Sequence, residues 1–470
     1  MSHPDNPTLD PEPASSVPRR TFLASAAAVT AGFTIVPRHV LGGQAKPAPS
    51  DKLRIACVGV GGMGKTNLAN CETETIVALC DVDFTLSEPV FAKYPDAKRY
   101  KDYRVMLDEQ QDIDAVIVAT PDHSHAVIAM AAMERKKHVY VQKPLTHSVH
   151  EARLLTETAR KYGVVTQMGN QGHSGEGARI LCEWVWDGAI GKIHEAHAWT
   201  NRPVWPSGIE VDRPTETPEV PPGLDWDLWL GPARSRPYHP TYHPAKWRAW
   251  WDFGTGSLGD MGCHIVDPLF WALKLKYPVA VEANISKYWQ AFFEQTPPKN
   301  EMFPRSTIVR FRFPAREKMP PVNVTWWDGG LMPPRPAGLE LGRRMGNEDG
   351  GVLLIGEKGT IMAGCYGESP RLVPESAMKK YRKRPPKTLE RIPEGTDGHE
   401  KDWIRACKGG KPASSNFEYS GPLSETVLMG NLAVRFPDRE LLWDGAKMEV
   451  TNDSDANAYV RREYREGWHL

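Results

Sequence analysis

The sequence predicts an α/β protein in two parts: an N-terminal parallel sheet wound with helices on both faces, then a second α/β domain with a large, mainly antiparallel sheet. Three observations carry this. Apolar runs at 53–58, 75–80, 114–119, 137–141 and 164–168 alternate with helical stretches near 64–71, 84–93, 103–110, 124–135 and 148–162. Alternation of that kind means parallel strands joined by crossover helices. After residue 170 it gives way to strands expected at 193–200, 279–288, 306–313, 321–327, 352–356 and 359–363. Several of these alternate apolar with polar, as a sheet covered on one face does. A chain of 470 residues is also too long for one typical core.

Residues 1–45 read as a targeting segment and linker. Arg19 and Arg20 precede Thr21-Phe22-Leu23 and a mildly apolar stretch over 22–36, rich in Ala and Thr. That stretch is too short and too weakly apolar to span a membrane. The pair of arginines before it reads as a twin-arginine export signal, with cleavage near 43–48. No cysteine lies there, so no permanent membrane anchor is expected. The partner is then the twin-arginine export machinery, and the location is periplasmic or exported.

The domain expected over 51–170 opens on Leu53-Arg54-Ile55-Ala56-Cys57-Val58-Gly59-Val60-Gly61-Gly62-Met63-Gly64. This is G-x-G-x-x-G directly after a strand and before a helix start. The first glycine makes the tight turn, the second admits a pyrophosphate, and the third lets helix meet strand. Phosphates would sit on the backbone of Gly59, Gly61, Gly62, Met63 and Gly64, at the positive end of the helix. The second apolar run ends at Asp81, about 20 residues on, where a ribose hydroxyl is held. An acid there repels a 2′-phosphate and favours NAD(H).

Ala115-Val116-Ile117-Val118-Ala119 is continuously apolar, as a strand buried on both faces should be. It runs into Thr120-Pro121-Asp122-His123-Ser124-His125. Ligands bind at the carboxyl ends of such strands, so Thr120, Pro121, His123 and His125 are placed near the cofactor. The strand at 137–141 delivers Gln142 and Lys143 before Pro144. An ammonium held there could polarise a carbonyl or hydroxyl oxygen.

Residues 171–470 form the second domain, with a helix expected at 178–186. A proline- and tryptophan-rich passage, 202–252, lacks periodicity and reads as a binding excursion. It holds Tyr242 and His243. Gly254-Thr255-Gly256-Ser257-Leu258-Gly259-Asp260-Met261-Gly262-Cys263-His264 follows; in a helix Asp260 and His264 share a face. A carboxylate beside an imidazole orients it and raises its basicity, as a general base needs. The segment 365–395 is basic and proline-rich, as a surface insertion would be. Helices are expected near 397–408 and 420–435.

Together these motifs resemble the glucose–fructose oxidoreductase / inositol dehydrogenase / MocA superfamily. The glycine-rich turn, Asp81, Thr-Pro-x-x-x-His and Lys-His-Val-x-x-x-Lys-Pro-Leu carry the resemblance, closely over 53–275. The superfamily has Glu-Lys-Pro where this chain has Gln142-Lys143-Pro144, so the lysine matches and its acidic neighbour does not. Its Asp-x-Gly-x-His falls on Asp260, Gly262 and His264. The resemblance implies that Lys143, Asp260 and His264 line the nicotinamide–substrate site. His264 would be the base for a sugar hydroxyl, Lys143 its electrostatic partner, and Asp260 the residue that positions them. It also implies self-association through the large sheet, hence a homo-oligomer.

Composition closes off other classes. Formal net charge is zero, so no nucleic-acid surface is implied. Seven cysteines are scattered without a C-x-x-C pair, which reads as buried thiols and not as a disulfide framework or zinc site. The 15 histidines include no H-E-x-x-H, which argues against a metal-dependent hydrolase. The 16 tryptophans suit either core packing or flat faces for sugar rings. The expected activity is therefore NAD(H)-dependent hydride chemistry at a carbohydrate or cyclitol hydroxyl. Outside the cytoplasm little free NAD is available, so a tightly held, internally recycled cofactor is expected. One alternative is an NAD-dependent glycosidase or lyase that oxidises, eliminates and re-reduces. Its second base would come from His173, His197, Tyr242 or His243. The other alternative is a sugar-binding protein without catalysis, against which the intact Lys143, Asp260 and His264 argue.

Overall fold

The computed structural model describes residues 51–202, 211–295 and 301–470. The signal expected over 1–45 lies outside them. The first sheet has six parallel strands: β1 (Arg54–Val58), β2 (Thr75–Cys80), β3 (Lys98–Tyr100), β4 (Ala115–Val118), β5 (His138–Val141) and β6 (Thr166–Met168). Their order, β3-β2-β1-β4-β5-β6, is that of a Rossmann sheet with its switch point between β1 and β4. Strand β3 is absent from the sequence expectation, because three residues are too few to show a period. The helices follow local rules. Asp83 caps Phe84–Lys93 by accepting the N–H groups of Thr85 and Leu86. Ser148 and Glu151 form a reciprocal capping box at the start of Val149–Tyr162, which stops at Gly163 with φ +63°.

The second sheet has nine strands: β7 (Ile193–Thr200), β8 (Ala280–Ile285), β11 (Thr307–Phe313), β12 (Val322–Trp327), β13 (Gly350–Gly356), β14 (Gly359–Gly364), β15 (Arg371–Val373), β16 (Glu440–Asp444) and β17 (Glu449–Val450). The strands β9 (Trp289–Ala291) and β10 (Glu294–Gln295) form a separate ribbon. The large sheet runs β15-β14-β13-β7-β12-β11-β8-β16-β17. Only β7 and β12 pair in parallel, so the sheet is mainly antiparallel as expected. Alternation sorts its two faces. Ala196, Ala198, Val324, Trp326, Val352 and Leu354 point into the main core, beside the helices Gly256–Ala272 and Phe417–Arg435. Trp199, Trp327 and Leu353 point the other way, where Leu339 and Met345 cover them.

The C-terminal part of the chain returns to the Rossmann sheet. The helix His399–Cys407 lays Trp403 and Ile404 against Ile55, Cys57, Ile117 and Tyr140, covering one sheet face. Ser415 accepts the Met168 N–H at 3.0 Å, and Thr166 Oγ1 accepts the Phe417 N–H at 2.9 Å. That contact covers the otherwise open edge of β6. Leu53–Leu470 consequently make one compact unit.

One expectation is corrected here. The segment 365–395 is woven into the fold and is not a surface insertion. It contributes the edge strand β15 with buried Leu372 and Val373, and Arg391 and the N–H groups of Thr388 and Leu389 all bind the Glu183 carboxylate. The described part of the 202–252 passage, expected to be a binding excursion, is held by aromatic packing. Trp226 stacks on Trp229, and Tyr242, Trp250 and Phe253 meet edge to face, so aromatic burial holds what hydrogen-bond periodicity does not. All seven cysteines are unpaired, and six are buried.

Candidate active site

The glycine turn after β1 is shaped by close approach on one side and open space on the other. Gly59 has φ +81°, and a Cβ there would lie 2.7 Å from the Ala119 backbone. A Cβ on Gly64 would lie 1.9 Å from the Gly59 carbonyl oxygen. Gly61 and Gly62 face nothing within 4 Å, and Met63 is 40% exposed. The helix Met63–Asn70 therefore opens its first N–H groups onto the cradle that Gly61 and Gly62 leave clear, with no side-chain cap on them. Asp81, at the end of β2, accepts the Val60 N–H at 2.8 Å and the Asp83 N–H at 3.0 Å. It anchors the cradle itself, and spare lone pairs on the half-buried carboxylate suit ribose hydroxyls. Thr120 Oγ1, at the end of β4, is buried without a partner. This donor and acceptor set fits a dinucleotide.

Beyond it, Lys143 extends from the end of β5 to the helix Gly256–Ala272. Its Nζ lies 2.8 Å from both the carbonyl oxygen and Oδ1 of Asp260. Arg248 Nε is 3.4 Å from the same Oδ1. Burial pushes the Asp260 pKa up, but Lys143 and Arg248 outweigh it and hold the carboxyl at about 2. His264, one turn further along, is 4% exposed, and its Nδ1 has no hydrogen-bond partner. Burial, reinforced by the Lys143 ammonium, drives its pKa well below the usual imidazole value, so the ring is neutral. Tyr366 lies edge-on to it with ring centroids 5.0 Å apart.

The Asp260 carboxylate thus serves Lys143 and Arg248. It makes no hydrogen bond to His264, contrary to the expectation from their helical spacing. Asp122 was not expected here at all. It is 4% exposed and accepts the Thr255 hydroxyl at 2.5 Å. Burial lifts its pKa to about 7 despite Thr255, Arg248 and Lys143, which all lower it. That contact ties the end of β4 to the residue just before the helix Gly256–Ala272.

A model of an oxidoreductase family, NAD-binding Rossmann fold, matches residues 53–170, and its C-terminal alpha/beta domain matches 192–291. Over those two segments the chain matches the two domains of the GFO/IDH/MocA family. Among its relatives, a Glycosyl hydrolase family 109 protein 1 of Shewanella sp. (strain ANA-3) is 26% identical over 304 residues, covering 58% of this chain and 64% of the relative. An Inositol 2-dehydrogenase of Salmonella typhimurium is 27% identical over 154 residues, covering 31% of this chain and 46% of the relative. The chain thus spans less than two thirds of either relative. The WlbA dehydrogenase from Bordetella pertussis, solved in complex with NADH and UDP-GlcNAcA, superposes with a TM-score of 0.56. It is 16% identical and covers 84% of this chain and 99% of its own, a likeness of fold.

Around this site, several expected residues turn inward. His125 has Nδ1 2.8 Å from the Pro144 oxygen and Nε2 2.8 Å from the Thr120 oxygen. It is a strut between the loops after β4 and β5, and leaves no nitrogen for a cofactor. His123 is fixed between the carbonyl oxygens of Trp229 and Phe253, at 3.0 and 3.3 Å. His173 is 1% exposed, pairs with Asp267 at 3.0 Å and stacks on Trp271. Tyr242 is 2% exposed inside the aromatic cluster. His243 pairs with Asp83 at 2.9 Å. His197 lies on β7 with Trp327 and Glu195, on the sheet face opposite the helix Gly256–Ala272. Each of these six is held by neighbours of its own, as buried polar groups are. Of their polar atoms only His243 Nδ1 is buried without a partner. The described residues include no cluster of three or more potential metal-ligating His, Cys, Asp or Glu side chains.

Sequence reading missed Arg248, Asp122, Thr255 and Tyr366. Asp122 sat in view within Thr-Pro-Asp-His, at the end of a fully buried strand. Arg248 and Tyr366 carry no local signal, because their partners come from other parts of the chain.

Proposed function

We propose that the protein is an NAD(H)-dependent oxidoreductase of a carbohydrate or cyclitol hydroxyl that keeps and recycles its cofactor. The observation that carries this is Lys143, clamped by Asp260 beside a neutral His264 with an unpartnered Nδ1, at the carboxyl ends of β4 and β5. The bound dinucleotide supplies a hydride acceptor and donor at its nicotinamide. His264, kept neutral by burial, takes the proton of the substrate hydroxyl. Lys143, held by Asp260, stabilises the oxygen as negative charge develops. Asp260 fixes the ammonium and Arg248 braces the Asp260 carboxylate, so the site is preorganised before substrate arrives.

The second reading is oxidation, elimination and re-reduction at a glycoside, favoured by the Glycosyl hydrolase family 109 relative. The export signal at Arg19 and Arg20 supports a closed redox cycle in either case, because exchange with free NAD is not then required. Self-association through the large sheet belongs to the same reading.

Turnover of sugars and aryl glycosides by the purified protein, with no NAD added and in deuterated water, tests these readings. A closed cycle proceeds without added cofactor. Deuterium beside the oxidised carbon marks elimination. A requirement for stoichiometric NAD with accumulation of an oxidised sugar would show a plain dehydrogenase.

A further inference from the structure

Gln142 stands where the family pattern has an acid, and its amide is buried and directed. Nε2 donates to Asn67 Oδ1 at 3.0 Å. Asn67, fully buried, donates Nδ2 to Glu400 Oε1 at 2.6 Å. Glu400 is 3% exposed and also accepts Asn70 Nδ2 at 3.1 Å and the Tyr140 hydroxyl at 3.3 Å. The network therefore contains a carboxylate after all, displaced to the helix His399–Cys407 and reached through an amide relay. Its polarity is forced. A carboxylate only accepts, so Asn67 turns its nitrogen to Glu400 and its oxygen to Gln142. Gln142 must then spend its nitrogen on Asn67. The amide packs directly over Gly169, in the space a Cβ there would take, 2.7–2.9 Å from its atoms.

We propose that this network is built to hold one negative charge, and to hold it at Glu400, so that the nicotinamide end of the crevice meets a neutral amide at residue 142 and bound cofactor is biased toward its reduced form. The inference rests on the reading that a dinucleotide occupies the crevice. Asp81 at the end of β2 marks the adenosine half, so the other half passes over β1 toward β4 and β5, where residue 142 follows the last strand residue. The oxidised nicotinamide ring carries a positive charge and the reduced ring carries none. A carboxylate at position 142 would stabilise the oxidised ring selectively, and a neutral amide withdraws that preference. The network cannot carry both acids. A carboxylate in place of the Gln142 amide would face Asn67 Oδ1, and turning the Asn67 amide to meet it would take from Glu400 its shortest donor. Two carboxylates would then share one amide in a buried site, which is costly.

The test compares wild type, Gln142→Glu and the exchange Gln142→Glu with Glu400→Gln. Thermal unfolding is measured without cofactor, and NAD⁺ and NADH are each titrated onto stripped protein. Gln142→Glu alone should melt below wild type, and the added Glu400→Gln should restore most of the loss. In the exchanged variant, affinity for NAD⁺ relative to NADH should rise on the order of tenfold over wild type. A folded exchanged variant whose ratio stays within twofold of wild type would overturn the charge bias. A Gln142→Glu variant as stable as wild type would overturn the single-charge network. If wild type binds neither form, the proposal fails through the reading beneath it. The melting comparison still reports on the network, so the two failures are told apart.

Discussion

Lys143 Nζ is equidistant, at 2.8 Å, from the main-chain oxygen and the carboxylate of Asp260, so one residue fixes the ammonium twice. The pair joins the end of β5 to the helix Gly256–Ala272, and both side chains are largely buried.

Removing either partner leaves a buried charge unmatched, which costs more than the pair contributes. Lys143→Ala should lower the rate on the order of 10²-fold or more, by the usual worth of a positioned electrostatic group, and leave NAD binding in place. Asp260→Asn should lower both the rate and the melting temperature. The Asp260 carboxyl is depressed to about 2, so its contribution is full above pH 4 and is lost as pH falls toward 2. That contribution is about 2 kcal/mol, at about 1.4 kcal/mol per unit. Acid unfolding of wild type and Asp260→Asn measures it, and parallel curves would refute it.

His264 is neutral across the working range because burial holds its pKa well below 6.5. The rate should therefore show no acid limb centred near pH 6.5. His264→Ala should cost on the order of 10²-fold, as loss of a positioned base does. Profiles of kcat/KM against pH for both proteins check this. A wild-type limb at 6.5 would mean a solvated imidazole, and an unchanged His264→Ala rate would place the base elsewhere.

Asp122 is shifted the opposite way, up to about 7. The folded protein holds this proton and the unfolded chain releases it near pH 4. Its contribution is therefore present below pH 4 and is lost as pH rises toward 7. Asp122→Asn should lose less stability than wild type between pH 4 and 8, by a few kcal/mol at most. Melting curves over that range decide it.

Asp81 holds the glycine turn through Val60 and should also hold the adenosine ribose. Asp81→Ala should weaken NAD(H) binding and narrow its preference over the phosphorylated cofactor. Titration of both cofactors onto stripped protein measures this. Tighter binding of NADP(H) by wild type would overturn the assignment.

What the sequence determined by itself was local. A strand followed by G-x-G-x-x-G, an acid after the next strand, and Asp260 and His264 on one helix face all follow from turn sterics and periodicity, which act over a few residues. Nearly every Rossmann strand and helix was legible for that reason. What the tertiary structure decided was partnership. Asp260 lies four residues from His264 in sequence yet binds Lys143, because the approach of β5 offers a full charge at 2.8 Å. The histidines at 123, 125, 173 and 243 looked available, but each was drawn inward to a carbonyl or a carboxylate. Glu400 gave no sign that its helix would return to the first sheet and supply the acid missing at 142. A buried polar group must find a partner, and which one it finds is set by chain segments that meet only when the fold closes.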